Sequence, residues 1–225
     1  MGRLIGKRHA KRRFEGRLRE DEAFANAVST LYANIGFMGT DGPLRTIVVT
    51  SAVPDEGKST IAVGLARVMA ASGKRVILLE CDPRRRSLAR LLDVQPAAGW
   101  GAVVMGDVEL RHAIARAEEG GPFLLDAEPD LPSPADLLDS SRFRSLLGLL
   151  RRSYDYVVID TPPVGMFVDA AVIASHADAT VMVVREGFAR QASVIHAFDQ
   201  LKQAGANVVG VAMSFCGGSS RRRSR

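Results

Sequence analysis

Residues Ala52 to Thr60 run A-V-P-D-E-G-K-S-T, the pattern of a phosphate-binding loop with alanine in place of its first glycine. In such a loop backbone N–H groups turn inward and, with the positive end of the following helix, hold a phosphate. Val53, Pro54, Asp55 and Glu56 would form the curl, and Gly57 would let the chain approach the ligand closely. Lys58 would reach the β and γ phosphates, Ser59 would offer a hydroxyl to Mg²⁺, and Thr60 would open the helix.

Two further runs end in acids. Tyr156 to Ile159 is an apolar strand closing on Asp160, then Thr161, Pro162 and Pro163. An acid at the carboxyl end of a buried strand stands where open α/β sheets bind ligands, and could hold Mg²⁺ directly or through water. Val76 to Leu79 closes on Glu80, Cys81 and Asp82, with Arg84 two residues on. Carboxylates at i and i+2 of an extended chain point the same way, so Glu80 and Asp82 can face one cleft. Metal binding and general-base work fit such a pair. The bland alternative is that one of them pairs with an arginine of the run Arg84 to Arg86.

These runs need a frame. The spacing predicts an amphipathic helix from Glu22 to Phe37, a strand at Thr46 to Thr50 and a helix from Lys58 to Ala71. A strand at Arg75 to Glu80, a short helix at Ser87 to Leu92, an irregular stretch from Val94 to Glu119 and a strand at Phe123 to Asp126 follow. The chain continues with a helix at Ala135 to Arg152, a strand at Tyr156 to Asp160, a helix at Asp169 to Ser175, and a final strand, helix, strand at Ala179 to Val184, Gln191 to Ala204 and Asn207 to Met213. Continuously apolar strands suit a parallel sheet covered on both faces, so the expected fold is α/β, a three-layer doubly wound, mostly parallel sheet of the P-loop NTPase type. The expected divisions are a basic arm at 1–20, one domain at 21–215 and a basic tail at 216–225.

Composition sets the surroundings. The chain has 225 residues and a net charge of +5. Residues 1–20 hold eight Lys or Arg against two Glu, and the last five residues add four arginines, which leaves −5 for 21–220. Such arms are diffuse cationic fields that could meet anionic lipid, nucleic acid or an acidic partner. Neither carries interleaved aromatic residues for base stacking, so nucleic acid is not expected. Cys81 and Cys216 lie far apart, which argues against a disulfide framework and favours a reducing cytosol. No apolar run approaches the roughly 18 to 20 residues of a membrane span. The histidines fall on separate elements, so no metal site is assigned to them, and Trp100 is read as packing.

Taken together, the loop at Ala52 to Thr60, the run Leu79 to Arg84 and the run Ile159 to Pro163 resemble the motifs of the bacterial tyrosine kinases of capsule and exopolysaccharide synthesis. That family carries a phosphate loop, an apolar strand ending D-x-D-x-R and a strand ending D-[ST]-P-P. The resemblance covers roughly residues 22 to 214. It implies ATP and Mg²⁺ as ligands and transfer of the γ-phosphoryl group to a tyrosine hydroxyl. It implies that Lys58 contacts phosphate, that Ser59, Asp82 and Asp160 serve the metal, and that Glu80, standing for the first aspartate, deprotonates the hydroxyl. It also implies a membrane activator of the chain-length-regulator type and a cytoplasmic place at the inner membrane face, to which the basic arm would contribute. Arg185 and Ser214, at late strand ends, would border the adenine.

The chain departs from the family in two further ways. The first-helix pattern E-x-x-R-x-x-R, used for ring assembly, falls on Asn26, Ser29 and Tyr32, so the charges that would join subunits are missing and the oligomeric state stays open. No tyrosine follows Tyr156, so tail autophosphorylation is not expected; kinase activity would fall on another protein, or be reduced to ATP hydrolysis that drives a conformational cycle. Tyr32, Tyr154 and Tyr156 are read as packing residues. Two alternatives stand beside the kinase: a partitioning or division-site ATPase, whose signature early lysine is here Val53, and a catalytically weak nucleotide sensor in a polysaccharide-export assembly.

Overall fold

The computed structural model describes residues 22–39 and 42–216. The basic arm and most of the basic tail, on which expectations were stated above, lie outside the described residues.

Seven strands form one sheet: β1 (Thr46–Ser51), β2 (Val76–Glu80), β3 (Ile114–Arg116), β4 (Phe123–Leu125), β5 (Tyr156–Asp160), β6 (Ala179–Arg185) and β7 (Val208–Ser214). Their spatial order is β3-β4-β2-β5-β1-β6-β7, parallel throughout except that β3 runs antiparallel to β4. β1 and β2 are buried along their whole length, which is why their sequences are apolar on both faces rather than alternating.

The two faces have separate cores. Ile47, Val49, Leu78, Val158, Val181 and Val183 point to one, against α1 (Glu22–Met38), α2 (Lys58–Ala71) and α3 (Leu88–Leu92). Val48, Ile77, Leu79, Val157, Ile159 and Met182 point to the other. That second face is covered by α4 (Trp100–Met105), α7 (Ser141–Ser153), α8 (Asp169–Ala174) and α9 (Gln191–Gln203). The short helices α5 (Leu110–Ala113) and α6 (Pro134–Asp139) complete the chain.

The three-layer expectation therefore stands, with two differences of detail. The irregular stretch after Val94 contains α4, α5 and the edge strand β3, elements too short to show a period in sequence. The helix expected from Ala135 to Arg152 is two helices. Ser140 leaves helical geometry (φ −66°, ψ 151°) and its side chain accepts the N–H of Phe143, so it stops α6 and caps α7.

Candidate nucleotide and phosphoryl-transfer site

The phosphate loop follows β1 and opens α2, as the sequence requires. Gly57 has φ 88°, a left-handed conformation open to glycine at little cost, and no side chain caps α2 at that point. The first N–H groups of a 14-residue helix are thus left facing the loop, a ready anion site.

Glu56 has a different place from the one its position in the motif suggests. It is fully buried, and its carboxylate accepts the N–H of Val53 at 2.9 Å and that of Arg185 at 3.2 Å. Its carbonyl accepts the Ser214 hydroxyl at 2.6 Å. The Val53 N–H is consequently turned to Glu56 rather than into the curl, and the loop is held from inside against the ends of β6 and β7. Arg185 stacks between the rings of Phe188 (4.6 Å) and Phe215 (4.3 Å) and reaches the Asp55 carbonyl at 3.4 Å. Arg185 and Ser214 thus flank the loop, and Thr60 lies beside Gly57, Ser214 and Phe215 in a groove of about 610 Å³ along α1 and β7.

On the other side of the loop the acids gather. Strand register sets Glu80 opposite Asp160, and Val49 on Asp160's other flank. Lys58 Nζ lies 3.6 Å from Asp82 Oδ2. Burial works to lower the Lys58 pKa, but attraction to Asp160, Asp82 and Glu80 outweighs it and the ammonium is held protonated above its ordinary value.

Asp160 is fully buried with no hydrogen-bond partner on either carboxylate oxygen. Its pKa is pushed up to about 6 by burial and by Asp82, against the lowering pull of Lys58 and of the nearby Ser59 hydroxyl, which does not close a properly directed hydrogen bond. Two unpartnered carboxylate oxygens beside a second carboxylate and a hydroxyl form a hard, oxygen-only donor set, which fits Mg²⁺. Among the described residues no group of three or more His, Cys, Asp or Glu could hold a metal.

Glu80 is enclosed. Its Oε1 accepts the Asp82 N–H at 3.1 Å, and Oε2 accepts those of Ser87 at 2.8 Å and Leu88 at 3.1 Å, so the carboxylate closes the turn from Asp82 into α3. Burial and the Asp160 charge raise its pKa to about 8 in spite of those three donors. Trp100, fully buried, donates its indole N–H to the Glu80 carbonyl at 2.9 Å, which gives the packing residue a polar task.

The arginine run does not neutralise Glu80 or Asp82. Arg84 pairs with the buried Asp169 at 3.0 Å and lies over Phe167, Arg86 pairs with the buried Asp126 at 2.8 Å, and Arg85 reaches the exposed Asp55 at 3.5 Å. Sequence reasoning missed Asp169 and Asp126. The available signal for Asp126 was its position as the acid closing a predicted strand, the same position that singled out Asp160. Gly165 was missed as well: a Cβ there would stand 2.5 Å from the Ala52 carbonyl oxygen, so only glycine lets the segment after β5 lie against the phosphate loop.

The tyrosines lie away from this site. Tyr154 is buried against Phe123, and Tyr156 meets Tyr32 edge to face with ring centroids 5.7 Å apart.

Comparison with known proteins agrees with this geometry. The AAA domain family matches residues 44–208. The chain is 31% identical to "Tyrosine-protein kinase CpsD" of Streptococcus pneumoniae over 198 residues, 88% of this chain and 85% of that protein. Its fold matches the kinase domain of the Escherichia coli tyrosine kinase ETK with a TM-score of 0.81 and 30% identity, over 89% of this chain and 78% of that one. The septum site-determining protein MinD of Pyrococcus horikoshii, complexed with Mg-ADP, matches with a TM-score of 0.63 at 21% identity, over 74% of this chain and 68% of that one, which shows a common fold alone. Phosphate loop, acidic strand end, D-T-P-P turn and these similarities lead to one assignment: the chain belongs to the bacterial tyrosine kinase family.

Proposed function

We propose that this chain is an ATP- and Mg²⁺-dependent protein-tyrosine kinase that phosphorylates another protein in the control of capsular or exopolysaccharide synthesis. The observation that carries the reading is Asp160, a buried carboxylate with both oxygens unpartnered, set among Lys58, Ser59 and Asp82 at the mouth of an uncapped helix.

In this proposal Lys58 binds the β and γ phosphates, and Ser59, Asp82 and Asp160 hold Mg²⁺. Arg185 and Ser214 border the base. Bound Mg²⁺·ATP would supply the transferable phosphoryl group and a cationic charge among these acids. The tyrosine oxygen bonds to the γ-phosphorus as the bond to the bridging oxygen breaks, ADP leaves, and the hydroxyl proton passes to a carboxylate. Glu80 is assigned that proton as the counterpart of the first acid in the family's acidic-strand motif, and the three N–H donors fix where its carboxylate stands. Phosphoryl transfer asks chiefly for positioning and charge, which is what the cluster supplies.

The acceptor in this proposal is a tyrosine of another protein, because Tyr32, Tyr154 and Tyr156 are packed in ring contacts away from the phosphate loop. A membrane activator of the chain-length-regulator type and a place at the inner membrane face belong to the same proposal. No helix among the described residues is long and apolar enough to cross a membrane. Labelled ATP, the activator's cytoplasmic tail and a tyrosine-bearing candidate protein test the reading together. Label in the protein that vanishes with Lys58→Met supports it, and release of free phosphate alone favours a nucleotide-driven sensor. The sensor is kept as a second reading by the missing assembly charges at Asn26, Ser29 and Tyr32.

A further inference from the structure

At the opposite end of β1 from the phosphate loop, roughly 20 Å away for a six-residue strand, lies a second cationic site. An open hollow of about 560 Å³ is lined by Pro43, Arg45, Gly148, Arg151 and Arg152. Three of the five lining residues are arginines and none is an acid. This runs against the background, because residues 22–216 carry 18 Lys or Arg against 22 Asp or Glu.

The arrangement is built by one carboxylate. Asp178 Oδ2 accepts the backbone N–H groups of Arg45 at 2.9 Å and Thr46 at 2.8 Å, while Oδ1 accepts Arg151 Nη2 at 2.8 Å. The Arg45 carbonyl accepts the Val157 N–H at 2.8 Å, so the arginine's backbone is locked on both sides. Asp178 thus orients Arg151 and anchors Arg45, with both of its oxygens engaged. Among the described residues neither Arg45 nor Arg152 has an acidic partner. Gly148, in the middle of α7, leaves the wall between Arg45 and Arg152 without a side chain; only Arg152 Nη1 comes within 4 Å of where a Cβ would stand.

We propose that this hollow is a binding site for a phosphate-class oxyanion, distinct from the nucleotide site. Guanidinium groups match phosphate through paired N–H donors, and two of the three here are uncompensated. The phosphate can belong to a lipid headgroup or to a soluble ester. Phe37 and Met38, 79% and 56% exposed, precede Gly39, which lies close to the Gly42 carbonyl next to Pro43, and would meet the acyl region in the first case.

The test uses the full chain with ADP and Mg²⁺ present at saturation, so that the phosphate loop is filled. Inorganic phosphate is titrated while the arginine side-chain Nε–Hε signals are followed by NMR. Arg45, Arg151 and Arg152 should shift along one saturation curve, and the double variant Arg45→Ala/Arg152→Ala should weaken the response of Arg151 by about tenfold or more. Shifts no larger than those of the exposed Arg90, or an Arg151 response unchanged in the variant, overturn the proposal. A second arm uses vesicles of phosphatidylcholine with phosphatidylglycerol against phosphatidylcholine alone. Weaker binding of the double variant to the anionic vesicles only assigns the site to a lipid headgroup. Unchanged vesicle binding with the phosphate response lost assigns it to a soluble phosphate ester. Because the basic arm is present in both proteins, its contribution to vesicle binding cancels.

Discussion

The carboxylate of Glu56 accepts the backbone N–H of Arg185 at 3.2 Å, joining positions 129 residues apart. Through the same side chain it holds Val53, and through its carbonyl it holds Ser214. One buried glutamate therefore links the loop expected to grip phosphate with the two strand ends expected to border the base. A glutamate inside a phosphate loop has no evident reason in the motif itself; its reason here is this internal tie.

Glu56→Gln keeps the size of the side chain but turns an amide N–H₂ toward one of two backbone donors. The loss of a buried acceptor should cost about 1 to 3 kcal/mol of stability and raise the KM for ATP more than it lowers kcat. Denaturant unfolding and steady-state kinetics read the two effects. An unchanged KM would show that the tie does not govern nucleotide binding.

Gly165→Ala places a methyl group 2.5 Å from the Ala52 carbonyl oxygen, a backbone atom that cannot swing aside. The segment after β5 must then move off the phosphate loop, with a loss of about 1 to 3 kcal/mol. Asp160 closes β5 five residues earlier, so nucleotide affinity should fall together with the melting temperature.

Asp160→Asn separates stability from function. Burial and the Asp82 charge oppose ionisation of Asp160, so removing its charge should leave the nucleotide-free protein as stable or more stable at neutral pH, by about 1 kcal/mol. Mg²⁺-dependent nucleotide binding should be lost. Calorimetry with and without Mg²⁺ measures both, and a variant that binds Mg²⁺·ATP normally would remove Asp160 from the metal site.

Glu80 carries a pH signature. Its folded pKa, about 8, stands above the ordinary 4.5, so its contribution favours the folded state fully below 4.5 and is lost as pH rises through 8. The nucleotide-free protein should therefore lose stability between about pH 4.5 and pH 8, and Glu80→Gln should flatten that decline. If Glu80 also takes the hydroxyl proton, kcat should rise with pH through the same range in the parent chain and not in the variant. A variant with the parent's kcat profile would leave Glu80 as the residue that fixes the turn from Asp82 to Leu88 and nothing more.

The sheet was legible in sequence because its strands are short, mostly apolar and separated by strong helical periods. β5 and α2 begin and end where their residues imply. What escaped was set by tertiary contact: the break at Ser140 depends on a single cap, and β3 is three residues of edge paired only with β4. In the site, the motif residues stood out by type and spacing. The partners Asp169 and Gly165 did not, because an acid buried to hold an arginine and a glycine chosen for a neighbour's backbone leave no local pattern. The Glu80 environment was hidden for the same reason, since its hydrogen bonds come from a turn up to eight residues downstream.

Trp100 is the only tryptophan of the chain, and its indole is tied to the last residue of β2, two positions from Asp82. The protein therefore contains its own optical reporter. Intrinsic emission should change when the acids beside it gain or lose a cation, and soluble quenchers should fail to reach it until the native packing opens. Site occupancy and unfolding can be followed from one unlabelled signal.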